Sequence, residues 1–192
     1  MAIKLKMILL IAVAIVIIVV LGAFACMAAI IFDVNSNLAG GSETLSPAGN
    51  VTGHALVVYN SGILGGAKNV ASTIADDLKA QGYSVVLAGV KSPAAADVSG
   101  YDIIVVGGPI YMGNASGSVK AYLADLHPPA DATVGAFGFG SSEIDNADQA
   151  AVLEDVASLP AGSTLKIKAA VKLTEQDDLD KGCADFVAML LK

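Results

Sequence analysis

The hydrophobic residues of this chain fall into two regimes that meet at Asp33. Before it, Met7 to Phe32 run 26 residues without a charge. As a helix at ~1.5 Å per residue this run reaches about 39 Å, more than the ~30 Å hydrocarbon core of a bilayer needs, and tilt absorbs the excess. From His54 onward, short apolar runs alternate with helical patterns instead. Ala55–Tyr59, Tyr83–Ala88, Ile103–Val106 and Val134–Phe139 read as strands, Ile103–Val106 as one buried on both faces of a parallel sheet. Leu165–Leu173 alternates Leu165, Ile167, Ala169, Val171 and Leu173 and reads as an edge strand.

Helices fill the gaps. Gly65–Ala80 carries Val70, Ile74 and Leu78 on one face, and Ser118–Leu126 carries Val119, Tyr122, Leu123 and Leu126. Ala147–Ser158 is a third helix. Thr174-Glu175-Gln176-Asp177 caps a fourth, whose inner stripe is Leu179, Cys183, Phe186, Val187 and Leu190. Five strands alternating with helices predict an α/β domain over residues 54–192, its parallel sheet wrapped on both faces. Residues 33–53, rich in Gly, Ser, Asn and Thr, read as a flexible linker that spans about 25 Å on average.

Residues 7–32 therefore predict a transmembrane helix. The rival is a cleaved signal peptide, with Ala23-Phe24-Ala25 before Cys26 as the small-residue site, but the apolar run continues for six residues past Cys26. Lys4 and Lys6 precede the helix and no Lys follows until Lys68, which predicts a cytoplasmic amino end and an extracytoplasmic domain. Beyond the helix stand nine basic and all 18 acidic residues, a net of −9, and the chain has no Arg. That excludes the basic footprint of a nucleic-acid binder and favours basic partners. One of the two Cys lies in the apolar run, so neither a disulfide nor a Cys metal site is expected. Asn50-Val51-Thr52 and Asn114-Ala115-Ser116 are glycosylation sequons if the domain is outside.

Two loops carry candidate chemistry. Ile103–Val106 stops at Gly107-Gly108-Pro109 and opens into Ile110-Tyr111-Met112-Gly113, at the strand end where open α/β sheets bind ligands. After the first strand, Ser61-Gly62-Ile63-Leu64-Gly65-Gly66-Ala67 feeds a helix amino terminus, whose N–H groups and dipole suit an anion. It is neither a Walker loop nor G-x-G-x-x-G. His54 and His127 are expected in solvent and Cys183 in the core. Glu143, Asp145 and Asp148 are expected to favour a helix amino end.

Taken together, His54–Lys192 resembles the flavodoxin family. The closest likeness is Tyr101-Asp102 through Gly113, continuing into Ser116–Leu123, in the form Tyr-Asp, apolar strand, Gly-x-Pro-x-Tyr-x-Gly. This is similar to the second flavin loop of flavodoxin-like quinone and FMN reductases. The resemblance implies a doubly wound five-stranded parallel sheet in the order 2-1-3-4-5, with FMN as cofactor. It implies that Ser61–Ala67 hold the phosphate, and that Pro109–Gly113 with a third loop, Phe139, Gly140 and Ser141 within Gly138–Ser142, hold the isoalloxazine ring. Leu64 and Ala67 depart from the family pattern, standing where it places threonines and leaving Ser61 as the first loop's only hydroxyl. Each lost hydrogen bond forfeits ~1.5–3 kcal/mol. The chain lacks Trp, so Tyr111, with Phe139, is the stacking aromatic.

The leading reading is a membrane-anchored, FMN-binding electron-transfer protein whose partner is a redox protein or a quinone. Two others stand beside it. One is an NAD(P)H-dependent quinone or FMN reductase, favoured by the Pro-Ile-Tyr-Met-Gly loop and opposed by an extracytoplasmic domain. The other is an interaction module that has lost its flavin.

Overall fold

The computed structural model describes residues 2–35, 40–142 and 144–192, and the chain divides after Phe32 into two units. The first is built from α1 (Ala2–Asn35). Within it Leu10–Ile30, 21 residues of hydropathy 3.1, is long and apolar enough to cross a membrane. Ser36 to Ala39 of the expected linker, and Glu143, lie outside the described residues.

The second unit is a sheet wrapped by helices. In chain order it runs β1 (Ser42–Leu45), β2 (Gly53–Tyr59), α2 (Gly66–Ala80), β3 (Tyr83–Gly89), a 3₁₀ turn at Pro93–Ala95 and β4 (Ile103–Tyr111). Next come β5 (Asn114–Ala115), α3 (Gly117–Ala124), β6 (Thr133–Phe139), α4 (Gln149–Val156), β7 (Ala169–Leu173) and α5 (Leu179–Leu191). The sheet order is β1-β3-β2-β4-β6-β7, with β5 hairpinned onto β4. Five of its strands, β3-β2-β4-β6-β7, are parallel and follow the expected 2-1-3-4-5 order.

Alternate residues of each strand feed opposite layers, as the two-residue period requires. Val57, Val85, Val105, Phe137 and Val171 meet Val70, Ile74 and Leu78 of α2 and Phe186 and Leu190 of α5. On the other face Leu56, Ile104, Val106 and Ala136 meet Val119 and Leu123 of α3 and Val152 and Val156 of α4. Gly135 gives room on the first face: a Cβ there would lie 2.8 Å from the Phe186 ring.

Four expectations need correction. Ser42–Leu45 is no linker: it pairs antiparallel with β3, and Leu45 packs against the first core layer. The reason is a sheet edge whose backbone groups need partners. β4 does not end at Val106, because Gly107, Gly108 and Pro109 still pair with Phe137, Gly138 and Phe139. The Leu165–Leu173 alternation spans two faces, since Leu165 and Ile167 pack with the second layer whereas Ala169, Val171 and Leu173 pack with the first. Every residue of β7 is buried. Finally Asp178, rather than Thr174–Asp177, caps α5, accepting from Lys181 N. Asp177 is spent on the preceding turn, where its Oδ2 accepts from Thr174 N and Oγ1.

The outer edge of β7 has an unusual lining. Asn146 Oδ1 accepts from Lys172 N and its Nδ2 donates to Lys172 O; Gln149 Oε1 accepts from Ala170 N and its Nε2 donates to Ala170 O. Two side-chain amides thus stand in for a neighbouring strand.

Asp77, near the carboxyl end of α2, has its Oδ2 buried without a hydrogen-bond partner. Burial, then the charges of Asp180 and Asp76, push its carboxyl above the usual carboxylate range. A folded value above the unfolded one means that ionisation opposes folding: the cost is absent below pH ~3.9 and grows as pH rises through the folded value. Asp77→Asn is therefore expected to raise the melting temperature at pH 7 by about 1–2 °C, as relief of a like-charge contact does, and to leave it unchanged at pH 3. Equal gains at both values would assign the effect to something other than charge.

Candidate functional site

Three loops converge at the carboxyl ends of β2, β4 and β6. The first leaves β2 at Asn60, which is fully buried. Its N donates to Gly107 O of β4 at 3.0 Å. Its Oδ1 accepts from Gly62 N at 2.9 Å, and its Nδ2 donates to Ser118 Oγ of α3 at 2.6 Å. Ser118 in turn meets Ser116 Oγ at 3.3 Å. One amide thereby ties the first loop, the middle strand and the start of α3 together.

That tie brings the loops into contact. A Cβ on Gly62 would stand 3.2 Å from Pro109 and 3.7 Å from the Tyr111 hydroxyl, so the first two loops touch there closely, at a residue whose φ of 67° favours glycine. A Cβ on Gly66 would stand 2.2 Å from the Phe139 ring, and one on Gly140 2.9 Å from Ile110, which joins the third loop to the other two. Gly65 ends the first loop with φ 77°, and α2 starts behind it with no side-chain cap on its N–H groups. At Gly65 and Gly113 a Cβ would meet nothing within 4 Å, so the backbone is open there.

The residues singled out from sequence divide into three sets. Ser61, Gly62, Gly65, Gly66, Tyr111 and Gly140 are half-buried around the junction. Ala67, Pro109 and Ile110 are buried, Ala67 in the first core layer and Ile110 in the second, so their side chains serve packing. Ile63, Leu64, Met112, Gly113 and Ser141 are exposed, Leu64 at 91% and Met112 at 84%. Leu64 therefore does not fill the space between the loops. Phe139 packs against the first core layer, its ring taken up by Gly66.

Met112 and Gly113 form the two-residue turn between β4 and β5, with φ 50° and 74°. Positive φ at both central positions is the type I′ hairpin, which prefers Asn or Gly at the first. An exposed methionine there is held against its backbone preference.

Behind the third loop lies a buried cation, Lys172. Its Nζ donates to Asp155 Oδ2 at 2.6 Å and to Ser142 Oγ at 2.9 Å. Sequence reading missed Asn60, Ser116, Ser118 and Lys172. Asn60-Ser61-Gly62 did carry a signal, because Asn two residues before Gly closes an Asx turn. Lys172 carried none. His54 and His127 are exposed and Cys183 is buried. Burial, then Asp77 and Asp180, pushes the Cys183 thiol up to about 12. Asp148 caps α4, accepting from Ala151 N, whereas Asp145 accepts from Ala147 N ahead of the helix.

Residues 56–139 match the family model of the flavodoxin domain. Among solved structures, the fold is similar to oxidised Flavodoxin 2 from Bacillus cereus, at 19% identity over 72% of this chain and 97% of that chain, with a TM-score of 0.50. It is similar also to the Streptococcus pneumonia TIGR4 flavodoxin, at 20% identity, the same coverage of each chain and a TM-score of 0.53. No curated protein matches the sequence. At these identities the structural likeness is one of fold.

Proposed function

We propose that this chain, whose fold is flavodoxin-like and whose residues 56–139 match the model of the flavodoxin domain, is an FMN-binding electron-transfer protein anchored to a membrane by α1. The observation that carries this reading is the junction of three loops at the point where the strand order reverses, with Gly62 against Pro109 and Tyr111 and Gly140 against Ile110. Open α/β sheets bind nucleotides at that crevice.

The residues present fit the cofactor. A phosphate needs N–H donors, and the uncapped start of α2 behind a left-handed Gly65 offers them without a basic side chain. Ser61 adds the first loop's one hydroxyl. Leu64 and Ala67 contribute backbone only, the one exposed and the other packed in the core. Tyr111, Met112, Gly113, Gly140 and Ser141 would border the ring, and Tyr111 is the aromatic that would stack on it.

FMN supplies one- and two-electron chemistry when bound. The protein's part is orientation and potential. Asn60 holds the first loop to β4, and Gly140 presses the third loop onto Ile110. The loops carry no charge between Ala55 and Ala67, Ile103 and Val119, or Ala132 and Ser142, so the acidic residues act on the flavin from a distance. Negative charge around a flavin opposes its reduction and lowers its potential. The partner is a redox protein or a quinone, and Lys4 and Lys6 favour a domain on the extracytoplasmic side.

The test is absorbance of the purified full chain. Flavin bands near roughly 370 and 450 nm, lost from the protein on denaturation and regained with added FMN, are the expected result. Asn60→Ala frees Gly62 N and Ser118 from their shared partner and is expected to weaken FMN binding at least tenfold, or ~1.4 kcal/mol. A colourless chain that takes up no FMN at micromolar concentration ends this reading.

A further inference from the structure

We infer that Lys172 is a positioning residue for the site: through Ser142 it fixes the third loop where Gly140 and Ser141 would border the flavin ring. This deepens the electron-transfer reading and rests on it.

The first support is how the loop is held. Gly140 N donates to Leu173 O at 3.0 Å, which ties the start of the loop to β7. Asn146 ties the chain to β7 again, its amide paired with Lys172 N and O. Between these points Ser141 and Ser142 are exposed, and Ile144 packs against the second core layer. The exposed stretch is held by Lys172 Nζ, which donates to Ser142 Oγ at 2.9 Å. Lys172 thus grips the segment twice, at Ser142 by its side chain and at Asn146 by its backbone. A hydrogen bond from an ammonium is stronger than one between neutral groups, which makes the grip at Ser142 a firm one.

The second support is the residue type. Lys172 stands opposite Gly138 in the register of β6 and β7, and its side chain is 1% exposed. Its neighbours in β7, Ala169, Ala170, Val171 and Leu173, are all apolar. Taking an ammonium out of water is costly, and an apolar pair in place of a buried ion pair is commonly no less stable. Stability therefore does not call for a lysine at this position. Asp155 Oδ2, 2.6 Å away, balances the charge from α4. What the ammonium adds is further N–H donors, and one of them reaches Ser142. A methionine would fill the same layer and leave the loop without that bond.

The test uses the purified full chain in detergent micelles and reads three quantities. These are the FMN dissociation constant from flavin fluorescence, the backbone order parameters of Ser141 and Ser142 without FMN, and the melting temperature. Ser142→Ala removes the loop end of the tie and keeps the ion pair. Lys172→Met with Asp155→Leu removes the donor and leaves no charge unpaired. Both are expected to weaken FMN binding about tenfold, the lower end of a hydrogen bond to a charged group. The order parameters are expected to fall from about 0.85 to below about 0.6 in both. Ser142→Ala is expected to melt within about 2 °C of the unaltered chain, so that lost binding is not lost folding. Ser142→Thr keeps the hydroxyl and is expected to retain both affinity and order. FMN bound equally by the unaltered chain and Ser142→Ala overturns the inference and leaves the electron-transfer reading standing. So does weakened binding in the double variant alone, which would assign the effect to packing. An unaltered chain that takes up no FMN overturns the electron-transfer reading, and the inference with it.

Discussion

Asp155→Ala is expected to destabilise the domain by about 3 kcal/mol, the lower end of what breaking a buried ion pair costs. The Lys172 side chain is 1% exposed and that of Asp155 23%, so the two partners are not equivalent. Removing the carboxylate leaves an ammonium in the protein interior with Ser142 Oγ as its remaining acceptor among the described residues. Removing the ammonium leaves a carboxylate that water already reaches. Lys172→Met should therefore cost less than Asp155→Ala, and Lys172→Met with Asp155→Leu should recover most of the loss, because a matched apolar pair has no ion to desolvate. Thermal unfolding checks all three: a fall of about 6–12 °C for Asp155→Ala, smaller falls for the others. Equal losses for both single variants would show that packing, not the stranded charge, sets the effect.

Gly107→Ala is expected to cost about 3 kcal/mol or more, for a reason unrelated to charge. A Cβ there would sit 2.3 Å from the carbonyl oxygen of Phe137 and 2.3 Å from its ring. A ring can turn, but a backbone oxygen in a central strand cannot. β4 is fixed by β2 on one side and β6 on the other, and Gly107 O also accepts from Asn60 N. Relief would have to part β4 from β6 or break the Asn60 tie. Gly100→Ala is the control, since nothing lies within 4 Å of its Cβ position. A Gly107→Ala chain melting within a degree of Gly100→Ala would mean that the sheet yields more easily than its register implies.

These two positions show how far the sequence could be read. Val105 and Val106 announce a buried strand by their side chains alone, and the helices announce themselves by spacing. The continuation of β4 through Gly107-Gly108-Pro109 was hidden because Gly and Pro ordinarily punctuate. Here they are small for the sake of neighbours from 11 to 48 residues away: Phe137 over Gly107, and Asn60 and Val119 against Gly108. Local pattern carries no trace of such contacts. β1 was hidden for a related reason, since Ser42-Glu43-Thr44 is polar and only Leu45 reaches the core. The loops of the site were legible by position, because they follow strand ends. Which of their side chains face the junction was not, because that depends on rotation about each strand's last residues. Ala67, in the core, and Leu64, in solvent, are the clearest instances. Lys172 reads as an ordinary lysine in an alternating strand, and its burial follows from Asp155 and Ser142, 17 and 30 residues earlier, closing over it.

The amides of Asn146 and Gln149 along β7 bear on how copies of this chain coexist. A bare strand margin would invite neighbours to add on one after another into a fibre. At β7 that margin is already occupied, by side chains that an incoming strand would have to displace, leaving the amides of Asn146 and Gln149 without their backbone partners. The opposite margin is β1, four residues long with Glu43 on it, too short and too charged to serve as a template. A concentrated sample of this domain is thus expected to stay a population of separate molecules.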